Sequence, residues 1–306
     1  MTASASTSAS SGAPGAPEYR LEIGDAIVAL QCPQPGLAEG LAVWFDRASV
    51  PVEAGDPVVT LEVTVVAHDD QPSFPRSLLT TKRLLGDGAF DIAGGLVTGS
   101  FDAATGRGQV RVKAALLTGR LTRIFEQVLY QAHASARARL GRPAWLVHSS
   151  SVIVGGQGFL FVGPSGSGKS TVAGLSAGRH VLGDEMSLVR PAAGGAAGWE
   201  LVGTPFNGTF RTKRPGSAPL RAVLLLEHGP AHELVDATTS AAVAVLAGEI
   251  VPPVGLDEAP GPDTLPRMVD AAGAIAANTT LKVMRFTPDP GFWKTLEAAF
   301  GLPPLA

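Results

Sequence analysis

The stretch GPSGSGKST, from Gly163 to Thr171, sets Gly163, Gly168, Lys169 and Ser170 at the G-x-x-x-x-G-K-[ST] spacing of a phosphate-binding loop. Glycines at 163, 166 and 168 let successive backbone N–H groups turn inward around an anion, and a helix opening at Lys169 would present its positive end to the same group. The Lys169 ammonium is aimed at β- and γ-phosphates, and the Ser170 hydroxyl at Mg²⁺. Pro164, Ser165, Ser167 and Thr171 complete the segment in contact with nucleotide. A flexible Gly/Ser loop is the competing reading. The lysine, the spacing, an apolar strand before the loop and the helix-compatible KSTVAGLSA within and after it all favour the phosphate site.

Two acids follow at short range. HVLGDEMSLV places Asp184 and Glu185 fifteen and sixteen residues after Lys169. A helix of about ten residues carries the chain back by ~15 Å, and a strand begun at His180 then returns Asp184 to the metal side of the loop. The pair reads either as magnesium-holding carboxylates or as a helix-ending turn facing solvent. His148 is drawn in by the hairpin WLVHSSSVIV, GGQG, FLFVG: a turn centred near Gly156 pairs His148 opposite about Pro164, beside the loop's mouth. A histidine there is either structural or a phosphate donor or proton handler.

These residues need elements to position them. VVTLEVTVV alternates apolar and polar residues, and GLVTGSFD, AATGRG, QVRVKA reads as a hairpin, so residues 19–118 form a small β-rich domain. Asp69 and Asp70 read as an acidic turn. Residues 119–140 carry Leu121, Ile124, Phe125, Val128 and Leu129 at helical spacing; on this helix His133 reads as a surface residue. Arg137, Arg139 and Arg142 read as its solvated side and what immediately follows it. The second part, 119–306, alternates helices and strands as an α/β domain.

Composition narrows the classes. The first eighteen residues lack a basic start and a run of large apolar residues, so they read as a disordered tail rather than a signal peptide. A single cysteine, Cys32, and no apolar run of ~18 residues suit a cytoplasmic protein without a membrane partner. A net charge of −3 gives no reason to expect nucleic acid.

HSSSV, GPSGSGKST and LGDE, in that order and spacing, resemble the catalytic domain of the HPr kinase/phosphorylase family, related to phosphoenolpyruvate carboxykinase. The similarity spans about Leu146 to Val189, with a weaker part to about Gly229. It implies a P-loop kinase domain using ATP and Mg²⁺. Asp184 would be the base toward a serine hydroxyl, His148 the active-site histidine and Lys169 the phosphate-binding lysine. Ser170, Asp184 and Glu185 would surround the metal. Glu185 stands where the family has a second aspartate. WELVGTPFNGTF replaces a glycine-rich segment: Glu200 and Gly203 keep the family's Glu and Gly, but Val202 takes the arginine position. Glu200 thus reads as a second metal ligand or as an exposed strand carboxylate. The cluster Asn207, Arg211, Lys213 and Arg214 reads as a phosphate or acidic-acceptor clamp, or as a solvated loop. The expected activity is transfer of the γ-phosphate to a hydroxyl of a protein, peptide or small metabolite. The alternative is a nucleotide-binding regulatory module with little turnover. The oligomeric state stays open.

Overall fold

The structure, a computed structural model, describes residues 17–45, 56–66, 81–86, 89–93, 96–102, 104–114, 122–140, 144–192, 197–251 and 264–305. Among these, sixteen strands and six helices build a mixed α/β chain with two mixed sheets. Asp69 and Asp70 lie outside the described residues, as do residues 1–16. No helix among the described residues is long and apolar enough to cross a membrane.

The first sheet holds β1 (Glu18–Ile23), β2 (Ala26–Gln31), β3 (Val59–Val66), β4 (Thr81–Gly86), β5 (Ala89–Ala93), β6 (Val97–Asp102) and β7 (Arg107–Lys113), in the order β1-β2-β3-β7-β6-β5-β4. Alternation in β3 turns Val59, Leu61 and Val63 into the core and Glu62 to solvent. The expected hairpin is β6–β7, antiparallel with Val97 opposite Val112. The chain is ordered one residue earlier than the expected tail boundary: Glu18 opens β1, and the Pro17 carbonyl accepts the Cys32 N–H. Burial raises the Cys32 thiol to about 11 and keeps it unreactive.

Helices α1 (Leu37–Trp44) and α2 (Thr122–Leu140) pack on this sheet. Phe125, Val128, Leu129 and Ala132 of α2 share one core with Leu21, Leu61 and Val110 of the sheet and with Leu146, Met186, Leu188 and Phe206 from the second half of the chain. The helix grouped with the second part in sequence is therefore wedged between both sheets. That placement overturns two expectations about its polar residues. His133 is buried, and burial together with the neighbouring Arg137 guanidinium pushes it down to about 3. Arg137 is buried too, bonded to Asp25 at 2.5 Å.

Glu126 of α2 is fully buried and accepts from the Trp44 indole N–H (2.9 Å), the Tyr130 hydroxyl (3.1 Å) and the Asn207 N–H (3.3 Å). Burial raises its carboxyl from 4.5 to about 7 against these donors, and the charge of Glu185 adds to the rise. The native state therefore holds a proton that the unfolded chain has lost between pH 4.5 and 7. This contribution is complete below the lower value and disappears as pH rises through the upper one, on the order of 3 kcal/mol in all. Glu126→Gln should flatten that part of the melting-temperature profile and leave the variant more stable than wild type at pH 8. Profiles of equal slope would refute this.

The second sheet contains β8 (Trp145–His148), β9 (Ser150–Val154), β10 (Gln157–Val162), β11 (His180–Gly183), β12 (Met186–Pro191), β13 (Trp199–Gly203) and β14 (Ser217–His228), in the order β11-β9-β10-β14-β13-β12-β8. β15 (Glu233–Asp236) and β16 (Thr280–Phe286) extend it beside β14. β10, β14 and β16 are parallel, and their carboxyl ends meet at one edge. Period-two alternation divides the cores. Phe159 and Phe161 face α3 (Lys169–Leu175) and α6 (Phe292–Phe300), while Leu160 and Val162 face α4 (Thr239–Glu249) and α5 (Thr264–Ala277).

Candidate functional site

Gly155 and Gly156 form the two-residue turn between β9 and β10, with φ of 57° and 72°, the positive values a tight hairpin turn of the I′ type needs. The register sets Phe161 opposite Ser150, so continuing it brings His148 opposite Gly163, within one residue of the expected pairing. The strand does not continue unbroken. At Ser149 the chain leaves β10, and β8 pairs instead with β12, His148 facing Met186. Serines permit the break: Ser149 Oγ donates to Ser187 Oγ (2.8 Å) and Ser187 Oγ to Ser151 Oγ (2.7 Å), a buried hydroxyl chain that joins β8, β9 and β12.

The phosphate-loop segment leaves the carboxyl end of β10 and enters α3 directly. That is where open α/β sheets hold ligands. Gly166 and Gly168 take φ of 85° and 102°, values that disfavour any residue with a Cβ; at Gly168 a Cβ would also lie 2.7 Å from the Phe286 ring. The end of each neighbouring parallel strand supports the loop. From β14, His228 Nε2 contacts the Gly166 carbonyl at 2.8 Å, and because a carbonyl only accepts, that nitrogen carries the proton. Its ring stacks on Phe286 of β16. Ser170 and Thr171 are exposed at the first turn of α3, and so are Pro164, Ser165 and Gly166 on the loop, whereas Gly163 and Ser167 are buried.

Lys169 is 7% exposed and lies across its own loop, donating to the carbonyls of Gly163 (2.5 Å) and Pro164 (3.4 Å). It also meets a residue that sequence reasoning missed. Glu249 Oε2 lies 3.4 Å from Lys169 Nζ and 3.1 Å from His148 Nδ1. One carboxylate oxygen therefore joins the loop lysine to the strand histidine. The chain after α4 fixes it there: Ile250 bridges to Val147, and the Val251 N–H donates to the Leu146 carbonyl, so Glu249 is pinned next to β8. The Glu249 carboxylate thus sets a negative charge against Nδ1 of the half-buried His148 ring, whose other nitrogen, Nε2, is not engaged by Glu249.

Asp184 takes a different position. It sits in the bend between β11 and β12, beside β9 at the level of the loop, and is 2% exposed. Its Oδ2 accepts from the N–H of Thr209 (2.9 Å), the N–H of Phe210 (3.1 Å) and the Thr209 hydroxyl (2.9 Å). Among the described residues Oδ1 has no hydrogen-bond partner. A Cβ on Gly208 would lie 2.1 Å from that oxygen, so only glycine leaves this side of the carboxylate uncovered. A buried carboxylate oxygen without a donor is chemically suited to a hard divalent cation. No group of three His, Cys, Asp or Glu that could hold a metal occurs among the described residues. Glu185 is half-buried and within electrostatic reach of Glu126. Glu200 is committed elsewhere, to Arg190 Nε (2.8 Å) and Ser217 Oγ (2.6 Å). Burial raises it, but those two donors more than offset that and hold it below the usual carboxylate value.

Asn207 is fully buried and ties the loop to the first sheet's layer by donating to the Trp44 carbonyl at 2.7 Å. Lys213 donates back to the carbonyls of Thr204 (3.1 Å) and Phe206 (2.6 Å), closing the loop that clamps Asp184. No protein-family model matches this chain, and no curated protein is similar to it at a significant level.

Proposed function

We propose that the chain is an ATP-dependent kinase of the HPr kinase type, cytoplasmic, which passes the γ-phosphate to a hydroxyl of a protein, peptide or small metabolite. The observation that carries this reading is the single Glu249 oxygen shared by Lys169 and His148. A phosphate-binding lysine and an oriented imidazole on one carboxylate are parts that a transferase needs and a passive nucleotide clamp does not. Residues Gly163 to Thr171 bind the phosphates. Lys169 turns from the loop carbonyls to the β- and γ-oxygens. His148, set against the Glu249 carboxylate, takes the acceptor proton. Ser170 and Asp184 Oδ1 hold Mg²⁺, with Glu185 as the adjoining acid, and the ion when bound neutralises charge on the transferred phosphoryl group. This divides the roles differently from the family resemblance, which gives the base to Asp184: Oδ2 is already committed to three loop donors, and Oδ1 is reserved here for the ion.

Asp184→Asn separates the two assignments. As a metal ligand, Asp184 should contribute to MgATP binding, so affinity for MgATP falls roughly tenfold or more while affinity for free ATP stays within a small factor. Calorimetry with and without Mg²⁺ reads this. Unchanged MgATP affinity with transfer lowered by about 10² would return the base role to Asp184. The second reading, a nucleotide-gated module, is favoured by one observation: Asp184 Oδ2 is fully occupied by loop donors, as a structural anchor would be.

A further inference from the structure

Between the two sheets, beside the loop that holds Asp184, lies a cleft of about 550 Å³. Arg190, Arg211, Lys213 and Arg214 line it, with Glu22 as the carboxylate on its wall. Arg190 is balanced by Glu200 at 2.8 Å and Asp25 at 3.5 Å. Arg211 and Arg214 are not balanced: among the described residues no carboxylate pairs with either. Arg211 lies over the Trp44 ring at 5.0 Å, and Arg214 donates to the Arg179 carbonyl at 2.6 Å. Both partners orient a guanidinium without cancelling its charge. A chain with net charge −3 thus concentrates positive charge in one concave place. The half-buried Val202 supplies apolar wall to the same cleft, over the buried Phe45, Leu182 and Pro205.

From this we infer that the cleft docks an acidic peptide segment of a partner protein, its carboxylates on Arg211 and Arg214 and an apolar side chain against Val202. Inorganic phosphate has nothing to place on the apolar wall, and a long nucleic-acid backbone would meet the negative remainder of the molecule. The cleft and Asp184 share one loop. Thr204, Pro205 and Arg211 line the cleft, while Thr209 and Phe210 between them hold the Asp184 carboxylate, so an occupant bears on the candidate site. That the docked segment carries the acceptor hydroxyl rests on the kinase reading. That it docks does not.

The test measures fluorescence anisotropy, at low salt and without nucleotide, of a labelled peptide alternating Glu and Leu around one serine, against the same peptide with Gln for Glu. The acidic peptide should bind and the Gln peptide should not. Arg211→Gln combined with Arg214→Gln should weaken binding roughly tenfold, and Glu22→Gln, which removes the cleft's own repelling charge, should strengthen it about two- to threefold. Should the arginine variant lose its thermal transition, the Glu22 variant decides alone. Equal binding of both peptides, unaltered affinity in Glu22→Gln, displacement by millimolar phosphate, or tighter binding of oligothymidine would each overturn the proposal. Phosphorylation of the peptide's serine is scored separately with ATP present, so a docked but unmodified peptide counts against the kinase reading and not against the cleft.

Discussion

His148→Gln should lower phosphoryl transfer by roughly 10²–10⁴ while MgATP affinity stays within a small factor, because a general base acts in the transition state and contributes little to nucleotide binding. The effect should depend on Glu249. With its carboxylate 3.1 Å from His148 Nδ1, Glu249 would stabilise the ring once it has taken up a proton. Glu249→Gln should therefore also slow transfer, by about tenfold or more, and the double variant should be no slower than His148→Gln alone, since the two residues act as one unit. Independent, multiplying losses would mean that Glu249 serves only the lysine. Unimpaired transfer by His148→Gln would remove the histidine from the chemistry.

Lys169→Ala should reduce MgATP affinity by roughly a hundredfold or more. Its ammonium is the loop's own cation, and charge-assisted bonds to phosphate oxygens are worth about 1.5–3 kcal/mol each. That ammonium meets the Gly163 carbonyl at 2.5 Å and Glu249 at 3.4 Å, so binding would exchange one set of acceptors for another. Lys169→Met keeps the buried stem and removes only the charge; it should show nearly the same loss. Titration calorimetry on the wild type and both variants measures it, and equal affinities across the three would contradict the phosphate-loop assignment.

The strand, loop and helix that carry Gly163 to Thr171 were legible because they are local, consecutive in the chain and punctuated by glycines. Alternation in VTLEVTVV likewise reports a sheet face directly. Glu249 was not legible. It reaches Lys169 across eighty residues, and its helix, TSAAVAVLAGE, has no feature pointing to a distant loop. A signal was present all the same, since the sole charge of that helix is an acid at its carboxyl end, where the macrodipole disfavours it. His133 and Arg137 were misplaced for another reason. Periodicity identifies one buried face, and α2 lies between two sheets, so its polar residues are enclosed as well. The strand expected from His180 is β11, which Asp184 directly follows, but the donors that cover Asp184 come from the 204–211 loop, tied down by Asn207 reaching Trp44.

Kinase and nucleotide-gated module differ in the fate of one phosphate, and γ-labelled ATP follows it. The full chain is incubated with MgATP and an acceptor panel of acidic serine peptides, free serine and cell-lysate proteins, and the label is traced to phosphoserine or to unchanged ATP. The account predicts label on a serine hydroxyl, abolished by His148→Gln and by Lys169→Ala. Stoichiometric binding of ATP that is released intact, with no acceptor labelled under any of these conditions, would contradict it.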